Sequence, residues 1–142
     1  MKTLNDYSNS FTDTAKCKQL ALNQISQGSD VVFQVAGGCG LGTLAAADEA
    51  GIWGIGVDKD QYQDAKRVLT SGVKRVDLGV YNLVKSVRDG TFKGGTDLVF
   101  NLKNGGMDVG KINPSVPKAD IALMNTYKKQ IIAGKLNPPT NL

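Results

Sequence analysis

Four glycines cluster where the chain passes from a strand-like run into a helix-like run. The stretch VAGGCGLG, residues 35–42, contains Gly37, Gly38, Gly40 and Gly42. So many glycines cost backbone entropy on folding, and ligands bind at the carboxyl ends of strands in open α/β sheets. The loop therefore predicts a site where backbone N–H groups meet a ligand closely, at the positive end of a helix dipole.

A carboxylate follows the next predicted strand. Asp58 ends the run IWGIGVD, where a charged acceptor can take two hydrogen bonds from the vicinal hydroxyls of a ribose. Gly40, Gly42 and Ala45 also match the relaxed G-x-G-x-x-A fingerprint of dinucleotide sites. Because that fingerprint is weak by itself, three interpretations stay open. The loop could belong to a small-ligand site, to a Rossmann or flavodoxin-like cofactor-binding domain of an enzyme, or to a turn without a ligand.

The composition excludes several kinds of chemistry. Histidine is absent, which removes the usual general base and most zinc sites, so no catalytic residues, metal ligands or cofactors are predicted. Basic residues are spread from Lys2 to Lys135 rather than clustered, so nucleic acid is not an expected partner. Cys17 and Cys39 lack CxxC spacing and are predicted to be two separate thiols with small buried side chains, forming neither a metal site nor a redox pair.

The length and hydropathy indicate an ordinary globular domain. The 142 residues suffice for one domain with its own core, and 41% of them are hydrophobic. No apolar run approaches the roughly 20 residues needed to span a bilayer. The N-terminus, MKTLNDYSNSF, lacks the pattern of an export signal, so the chain as written is expected to have no signal peptide and to be cytoplasmic as expressed.

Alternating helix-like and strand-like runs surround the glycine loop. Apolar residues at helical spacing and Gly28 at a C-cap position predict a first helix, and alanines predict a second. Nearly continuous apolar runs predict buried parallel strands. This alternation predicts a three-layer α/β fold with a mostly parallel, flavodoxin-like sheet. The predicted helices are 14–28 and 41–51, and the predicted strands are 30–36 and 52–58.

The second half of the chain has a looser pattern. No element is predicted between Asp58 and Val68, where polar and turn residues dominate. Residues 74–88 predict a strongly amphipathic helix, residues 97–102 (DLVFNL) predict a third sheet strand, and residues 118–134 predict a last helix. The apolar side of the first of these helices contains Val76, Val80, Leu83, Val84 and Val87.

Five motifs in fixed order resemble the basic membrane protein family. They are SFTDxAK from Ser10, AGGxGxG from Ala36, GVDxDQ from Gly56, LTSxxKRVD from Leu69 and DGTFKGG from Asp89. The family consists of nucleoside-binding lipoproteins that serve ABC-type uptake systems without catalysis. The resemblance implies a type I periplasmic-binding-protein fold, in which two flavodoxin-like lobes close around a purine nucleoside.

The resemblance implies that this chain is the second lobe only. Residues 1–142 would form a single α/β lobe, with segment 69–88 normally crossing to the other lobe and residues 137–142 forming a loose tail. The parent would be an extracytoplasmic, membrane-anchored lipoprotein that works with an ABC permease. A single lobe would bind a nucleoside weakly. Two chains could exchange segment 69–88 in a homodimer, or its helix could fold back onto its own sheet.

The resemblance also implies roles for particular residues. Phe11 would stack on the base, although it could instead be a hydrophobic staple for the first helix. Gly37 and Gly38 would donate backbone N–H groups to the ligand, unless their role is turn geometry alone. Asp58 would bind the ribose or be a turn carboxylate. Lys74 would lie near the ribose or be a solvated charge at a helix start.

Overall fold

A computed structural model describes residues 2–138. It contains four helices and four strands, which alternate except that the third strand follows the second directly, and a 3-10 turn, Gly37–Cys39, precedes the second helix. The predicted α/β class is confirmed. The helices are α1 (Thr14–Ser26), α2 (Gly40–Ala50), α3 (Val76–Arg88) and α4 (Lys118–Ile132), and the strands are β1 (Val31–Phe33), β2 (Trp53–Asp58), β3 (Val68–Lys74) and β4 (Met107–Val109).

The four strands form one sheet in the order β1-β2-β3-β4. Strands β1 and β2 are parallel, with Val32 opposite Gly54, and β2 and β3 are also parallel, with Val57 opposite Gly72. The carboxyl ends of parallel strands lie at one edge of a sheet. The glycine loop after β1 and Asp58 at the end of β2 therefore share that edge.

The prediction of a strand at DLVFNL is wrong. Residues 97–102 are not in a strand, and the third strand is β3, in a segment whose Thr70, Ser71 and Gly72 are typical turn residues. Pairing with β2 outweighs that local preference, because Ser71 is fully buried opposite Gly56.

Asparagine side chains explain why the chain turns after residue 100. The Asn101 Oδ1 atom accepts hydrogen bonds from the Lys103 and Asn104 amides at 2.9 and 3.1 Å, and the Asn104 Oδ1 atom accepts from the Asn101 amide at 2.9 Å. Such bonds offer the backbone partners that a sheet would otherwise supply. The segment forms a turn that leads to β4.

The contacts of the chain group into two compact units. Unit 1 comprises Met1–Val73 and Val109–Ser115, and unit 2 comprises Lys74–Asp108 and Val116–Leu142. The sequence predicted one lobe over the whole chain, with segment 69–88 crossing to another lobe. Residues 139–142, which make up most of the tail predicted to be loose, lie outside the described residues.

Unit 1 contains a close-packed core beneath the sheet. Helices α1 and α2 approach so closely that a Cβ atom on Gly42 would lie 1.9 Å from the Thr14 carbonyl oxygen. A Cβ atom on Gly54 in β2 would lie 2.7 Å from the Leu44 Cδ2 atom. Glycine at these two positions lets helix meet helix and helix meet sheet. The most deeply buried apolar side chains of this core are Cys39, Leu44, Ala46, Ala47 and Val68.

Unit 2 contains α3 and α4. The predicted amphipathic helix is confirmed as α3, and Gly90, with φ of 69°, follows its C-terminus. Its apolar side lines a cavity of about 520 Å³ together with Leu98, Phe100 and Met107. In α4, Lys128 pairs with Asp108 at 2.5 Å. Of the helices within residues 2–138, none is long and apolar enough to cross a membrane.

Candidate functional site

Three of the predicted binding residues meet at the glycine loop. The Cys39 N–H donates to the Phe11 carbonyl oxygen at 2.9 Å, which holds the segment before α1 against the loop. A Cβ atom on Gly37 would lie 3.5 Å from the Phe11 Cδ1 atom, and one on Gly38 would lie 3.3 Å from the Phe11 carbonyl oxygen. Gly37 also has φ of +57°, which favours glycine. The structure therefore brings Phe11, Gly37 and Gly38 together.

The Phe11 ring faces solvent. Its side chain is 76% exposed, so it adds little apolar burial as a staple for α1. The helix start is held instead by Asp13, whose Oδ1 atom accepts from the Lys16 N–H at 3.0 Å. An exposed ring beside a glycine-rich backbone is an accessible stacking surface.

Asp58 occupies a strained turn at the end of β2. Its φ is +69°, and the Lys59 N–H donates to the Val57 carbonyl oxygen at 2.9 Å. A bond between residues two apart around a positive φ is the rare form of γ-turn. Such backbone costs on the order of 1–3 kcal/mol for a residue other than glycine and clusters at functional sites. The strain is independent support for Asp58 as a site residue.

A buried polar network, formed by Gln34, Gln61 and Ser71, joins the loop to this turn. Gln61 Oε1 accepts from Gln34 Nε2 at 2.7 Å and from the Val57 N–H at 2.8 Å, and the Gln61 N–H donates to Ser71 Oγ at 3.0 Å. Gln34 Oε1 in turn accepts from the Ala36 N–H at 3.1 Å. One glutamine side chain therefore links the segments that follow β1 and β2.

The sequence analysis did not identify these three residues. A signal was present at Gln34, a polar residue inside the apolar run DVVFQVA, and at Gln61, the last residue of the GVDxDQ motif. A glutamine in a buried run needs hydrogen-bond partners. Periodicity alone gave no way to find which residues those partners are.

Two of the loop glycines make room for the protein's own atoms. A Cβ atom on Gly40 would lie 1.8 Å from Gln34 Oε1, and Gly42 is occupied in the same way by the Thr14 carbonyl oxygen. Both glycines are buried. In the dinucleotide fingerprint these glycines would let a pyrophosphate approach. Here their open sides are filled by a side chain and a helix backbone.

The cysteines form a disulfide, so the prediction of two separate thiols is wrong. Cys17 in α1 and Cys39 in the 3-10 turn have Cα atoms 5.6 Å apart and are bonded. Their predicted burial is confirmed, at 4% and 0% exposure. Sequence spacing did not reveal the bond because packing of α1 against the loop, rather than a local motif, brings the residues together. The disulfide fastens the loop to the helix that follows Phe11.

Lys74 lies in the other unit. It belongs to unit 2 at the end of β3 and lines the cavity beside α3. Its neighbour Arg75 forms a surface pair with Asp77, at 2.7 Å between Nη2 and Oδ2. The hydrogen bond from Arg75 lowers the pKa of Asp77 from its ordinary value of 3.8 to about 2. The four other predicted residues, Phe11, Gly37, Gly38 and Asp58, belong to unit 1.

Substrate-binding proteins of ABC transporters match most of this chain. The family model of PnrA-like substrate-binding proteins of ABC transporters matches residues 1–141. An ABC transporter nucleoside-binding protein from Lactococcus lactis is 38% identical over 94% of this chain and 43% of its own length. Basic membrane protein D from Borreliella burgdorferi is 35% identical over 75% of this chain and 33% of its own length. The chain thus spans less than half the length of these relatives.

Solved structures share the fold. A solute-binding protein of an ABC transporter system from Aeropyrum pernix superposes with a TM-score of 0.80 at 24% identity, over 96% of this chain and 47% of that one. A transcriptional activator of the comK gene from Bacillus halodurans superposes with a TM-score of 0.85 at 22% identity, over 94% of this chain and 47% of that one. The fold is that of one lobe of a solute-binding protein. With the family match over residues 1–141, the chain belongs to the PnrA-like family of ABC transporter substrate-binding proteins, which includes the basic membrane proteins.

Proposed function

We propose that this chain is the ligand-binding part of a purine-nucleoside receptor that serves ABC-type uptake. The observation that carries the proposal is the carboxyl edge of unit 1, meaning Phe11, the loop 34–39 and the turn Val57–Lys59. This edge contains the exposed ring of Phe11, the glycine backbone of the loop, and Asp58, whose backbone is strained. The match to a nucleoside-binding protein from Lactococcus lactis at 38% identity supports the same ligand class.

The chemistry of a nucleoside fits the three parts of this edge. A purine offers a flat π surface to the Phe11 ring, with stacking worth about 1–3 kcal/mol. The Gly37 and Gly38 amides would donate hydrogen bonds to the ligand. The Asp58 carboxylate would accept from the two ribose hydroxyls as a charged acceptor.

Binding without catalysis is the proposed activity. The chain has no histidine, and the edge offers no base positioned against a nucleophile. The dinucleotide-binding alternative is less well supported, because Gly40 and Gly42 are filled by Gln34 and Thr14. A receptor that delivers a solute to an ABC permease requires binding and release alone.

The parent protein is proposed to be an extracytoplasmic lipoprotein. Disulfides such as Cys17–Cys39 persist in oxidising environments and are rare in the cytosol. Relatives from Pyrococcus abyssi and Pyrococcus horikoshii, each 34% identical over 75% of this chain, are described as lipoproteins. Both observations favour a receptor exposed outside the cytoplasmic membrane.

Affinity for a free nucleoside is expected to be weak in this chain alone. Small-molecule sites enclose about 70–90% of the ligand surface, and the carboxyl edge of unit 1 covers one side. We expect dissociation constants in the high-micromolar range or above. Sub-micromolar binding of inosine or guanosine by the monomer, measured by calorimetry, would contradict this expectation.

Thermal shift with four ligands tests the proposal. Inosine, guanosine, adenosine and NAD are each added at millimolar concentration to the oxidised chain. A ligand at a few times its dissociation constant adds about 1 kcal/mol to the free energy of unfolding, so purine nucleosides should raise the melting temperature while NAD should not. Stabilisation by NAD alone would favour the dinucleotide alternative.

Paired variants assign the effect to the carboxyl edge. Asp58→Asn removes the charge of the proposed ribose acceptor and should abolish most of the nucleoside-induced shift. Asp64→Asn makes the same change at a carboxylate that pairs with Lys59 at 3.0 Å, and should keep the shift. Equal shifts in both variants would remove Asp58 from the site.

A further inference from the structure

The Gln34–Gln61–Ser71 network is buried to an extent unusual for polar side chains. Gln34 and Gln61 are each 4% exposed and Ser71 is fully buried. Polar groups at such depth are retained where their hydrogen bonds are satisfied. Within the part of the chain that the structure describes, no buried side-chain nitrogen or oxygen lacks a partner. The buried polar atoms of the network therefore all have hydrogen-bond partners.

Gln61 connects the parts of the carboxyl edge that would contact a nucleoside. Its Oε1 atom accepts from the Val57 N–H, one residue before Asp58, and from Gln34, whose own oxygen accepts from the Ala36 N–H at the start of the glycine loop. Its backbone N–H is fixed by Ser71 in β3. A change at this one side chain would remove a hydrogen bond from the turn and another from Gln34, the residue at the start of loop 34–39.

The turn at Asp58 needs such support. A positive φ at a residue other than glycine persists only where the surroundings enforce it. Asp58 pairs with Val73 in the sheet register, and the residue before it is held by Gln61. Without the Gln61 oxygen, the Val57 N–H would be left buried and unsatisfied unless the turn rearranged.

We propose that Gln61 is a positioning residue that keeps Asp58 in its left-handed turn and in register with the glycine loop, and so sets the preference for ribonucleosides over 2′-deoxyribonucleosides. The proposal rests on the proposed function, because the preference arises from Asp58 accepting from both ribose hydroxyls. Removing the 2′-hydroxyl would remove one of the two hydrogen bonds that the ribose donates to this carboxylate. The network controls where that carboxylate points.

Three variants separate positioning from general stability. Gln61→Met keeps the side-chain length and removes the acceptor, whereas Gln61→Glu keeps an acceptor oxygen. Gln63→Met is the matched control, since Gln63 is exposed and only two residues away. Ser71→Ala removes the acceptor of the Gln61 N–H and provides a second test if Gln61→Met does not fold.

The first readout needs no ligand. A positive φ at Asp58 gives a strong NOE between its own amide and Hα protons, which NMR of the labelled 142-residue chain detects. We expect this NOE in the wild type, Gln63→Met and Gln61→Glu, and its loss in Gln61→Met. Ser71→Ala should weaken it. Its persistence in both Gln61→Met and Ser71→Ala would overturn the positioning role.

The second readout is the ratio of affinities for guanosine and 2′-deoxyguanosine, obtained by NMR titration. The wild type and Gln63→Met should favour guanosine about tenfold, and Gln61→Met should reduce this preference to about twofold or less. An unchanged ratio in Gln61→Met would overturn the proposal even if both affinities fell. A wild type that binds neither compound would contradict the proposed function, and the NOE at Asp58 would still decide the positioning role.

Discussion

The two units of the chain differ in where their apolar side chains lie. Every buried hydrophobic residue of the described chain belongs to unit 1, with Leu44 and Val68 at its centre. In unit 2, within residues 2–138, no hydrophobic side chain is buried, and Val80 and Val84 on α3 are 57% and 63% exposed. Helix α3 is thus more strongly amphipathic than α1 and α2, yet its apolar side is less covered.

This difference separates two kinds of information in a sequence. A repeating apolar pattern predicts that a helix has an apolar side, but it does not identify what covers that side. In unit 1 the cover is present, because α1 packs on α2, and α2 packs on β1 and β2. In unit 2 each apolar side chain left exposed costs roughly 1.5–3 kcal/mol relative to burial. A contiguous patch of this kind indicates an interaction surface.

The largest expected effect compares equal changes in the two units. Leu44→Ala removes a side chain that is 1% exposed and should lower the free energy of unfolding by about 3–5 kcal/mol, through lost burial and a cavity. Leu83→Ala on α3, at 38% exposure, should cost less than about 1 kcal/mol. Denaturation followed by circular dichroism measures the helices of both units, and the fluorescence of Trp53, the single tryptophan, measures unit 1 separately. Similar costs for the two variants would show that unit 2 is covered after all.

The next effect concerns the disulfide, which lies entirely in unit 1. Its closed loop has a sequence separation of 22, so its removal should destabilise unit 1 by about 3 kcal/mol. The double variant Cys17→Ala/Cys39→Ala should match the wild type measured in a reducing agent. Addition of that reducing agent to the double variant serves as the control and should change nothing. A double variant as stable as the oxidised wild type would exclude a structural role for the bond.

A smaller effect is expected from association through α3. We expect two chains to cover each other's apolar faces, by exchange of segment 69–88 or by direct packing, at tens of micromolar. Val80→Lys and Val84→Lys should each shift the chain toward a 15.1 kDa monomer in sedimentation, whereas Lys85→Gln, on the same helix, should not. A wild type that sediments as a monomer, with Val80 and Val84 buried within one chain, would contradict exchange.

The smallest effect is pH-dependent and lies in unit 2. Arg75 lowers the pKa of Asp77 from 3.8 to about 2 in the folded chain, so the carboxylate contributes stability above pH 4 that is lost between about pH 4 and 2. The pair is exposed, so solvent screening keeps the contribution small. Acid titration of α3 by circular dichroism should show a shallower transition in Asp77→Asn. Identical acid transitions in the two proteins would remove the pair from the stability of α3.

Much of unit 1 could be predicted from the sequence, because local sequence signals mark the ends of its helices and the positions of its first two strands. Gly28 and Gly51 follow α1 and α2 closely, and apolar runs contain β1 and β2. β3 was not predictable in this way, since Thr70 and Ser71 are strand residues only because β2 pairs with them. The strand prediction at DLVFNL is wrong for the opposite reason. The segment has the apolar run of a strand but pairs with no other strand, and hydrogen bonds to the Asn101 side chain turn the chain instead.

The sequence predicted individual residues of the candidate site but not the contacts between them. Residue types and spacing pointed to Gly37, Gly38 and Asp58, while Phe11 came from a family resemblance. The contact of Phe11 with the loop, the strained turn at Asp58 and the network centred on Gln61 depend on tertiary packing. Sequence distance hides such links, as it hid the disulfide.

Amide hydrogen exchange with and without guanosine tests the central contrast most directly. In that contrast, unit 1 has a buried core and the proposed ligand edge, and unit 2 has exposed apolar side chains. Without ligand, the slowest amides should lie in α2 and β2, with α3 exchanging far faster. Millimolar guanosine should slow exchange at Gly37–Cys39 and in the Val57–Lys59 turn, and Asp58→Asn should abolish that slowing. Equal protection of both units, or guanosine protection confined to the unit 2 cavity beside α3, would contradict both the contrast and the placement of the site.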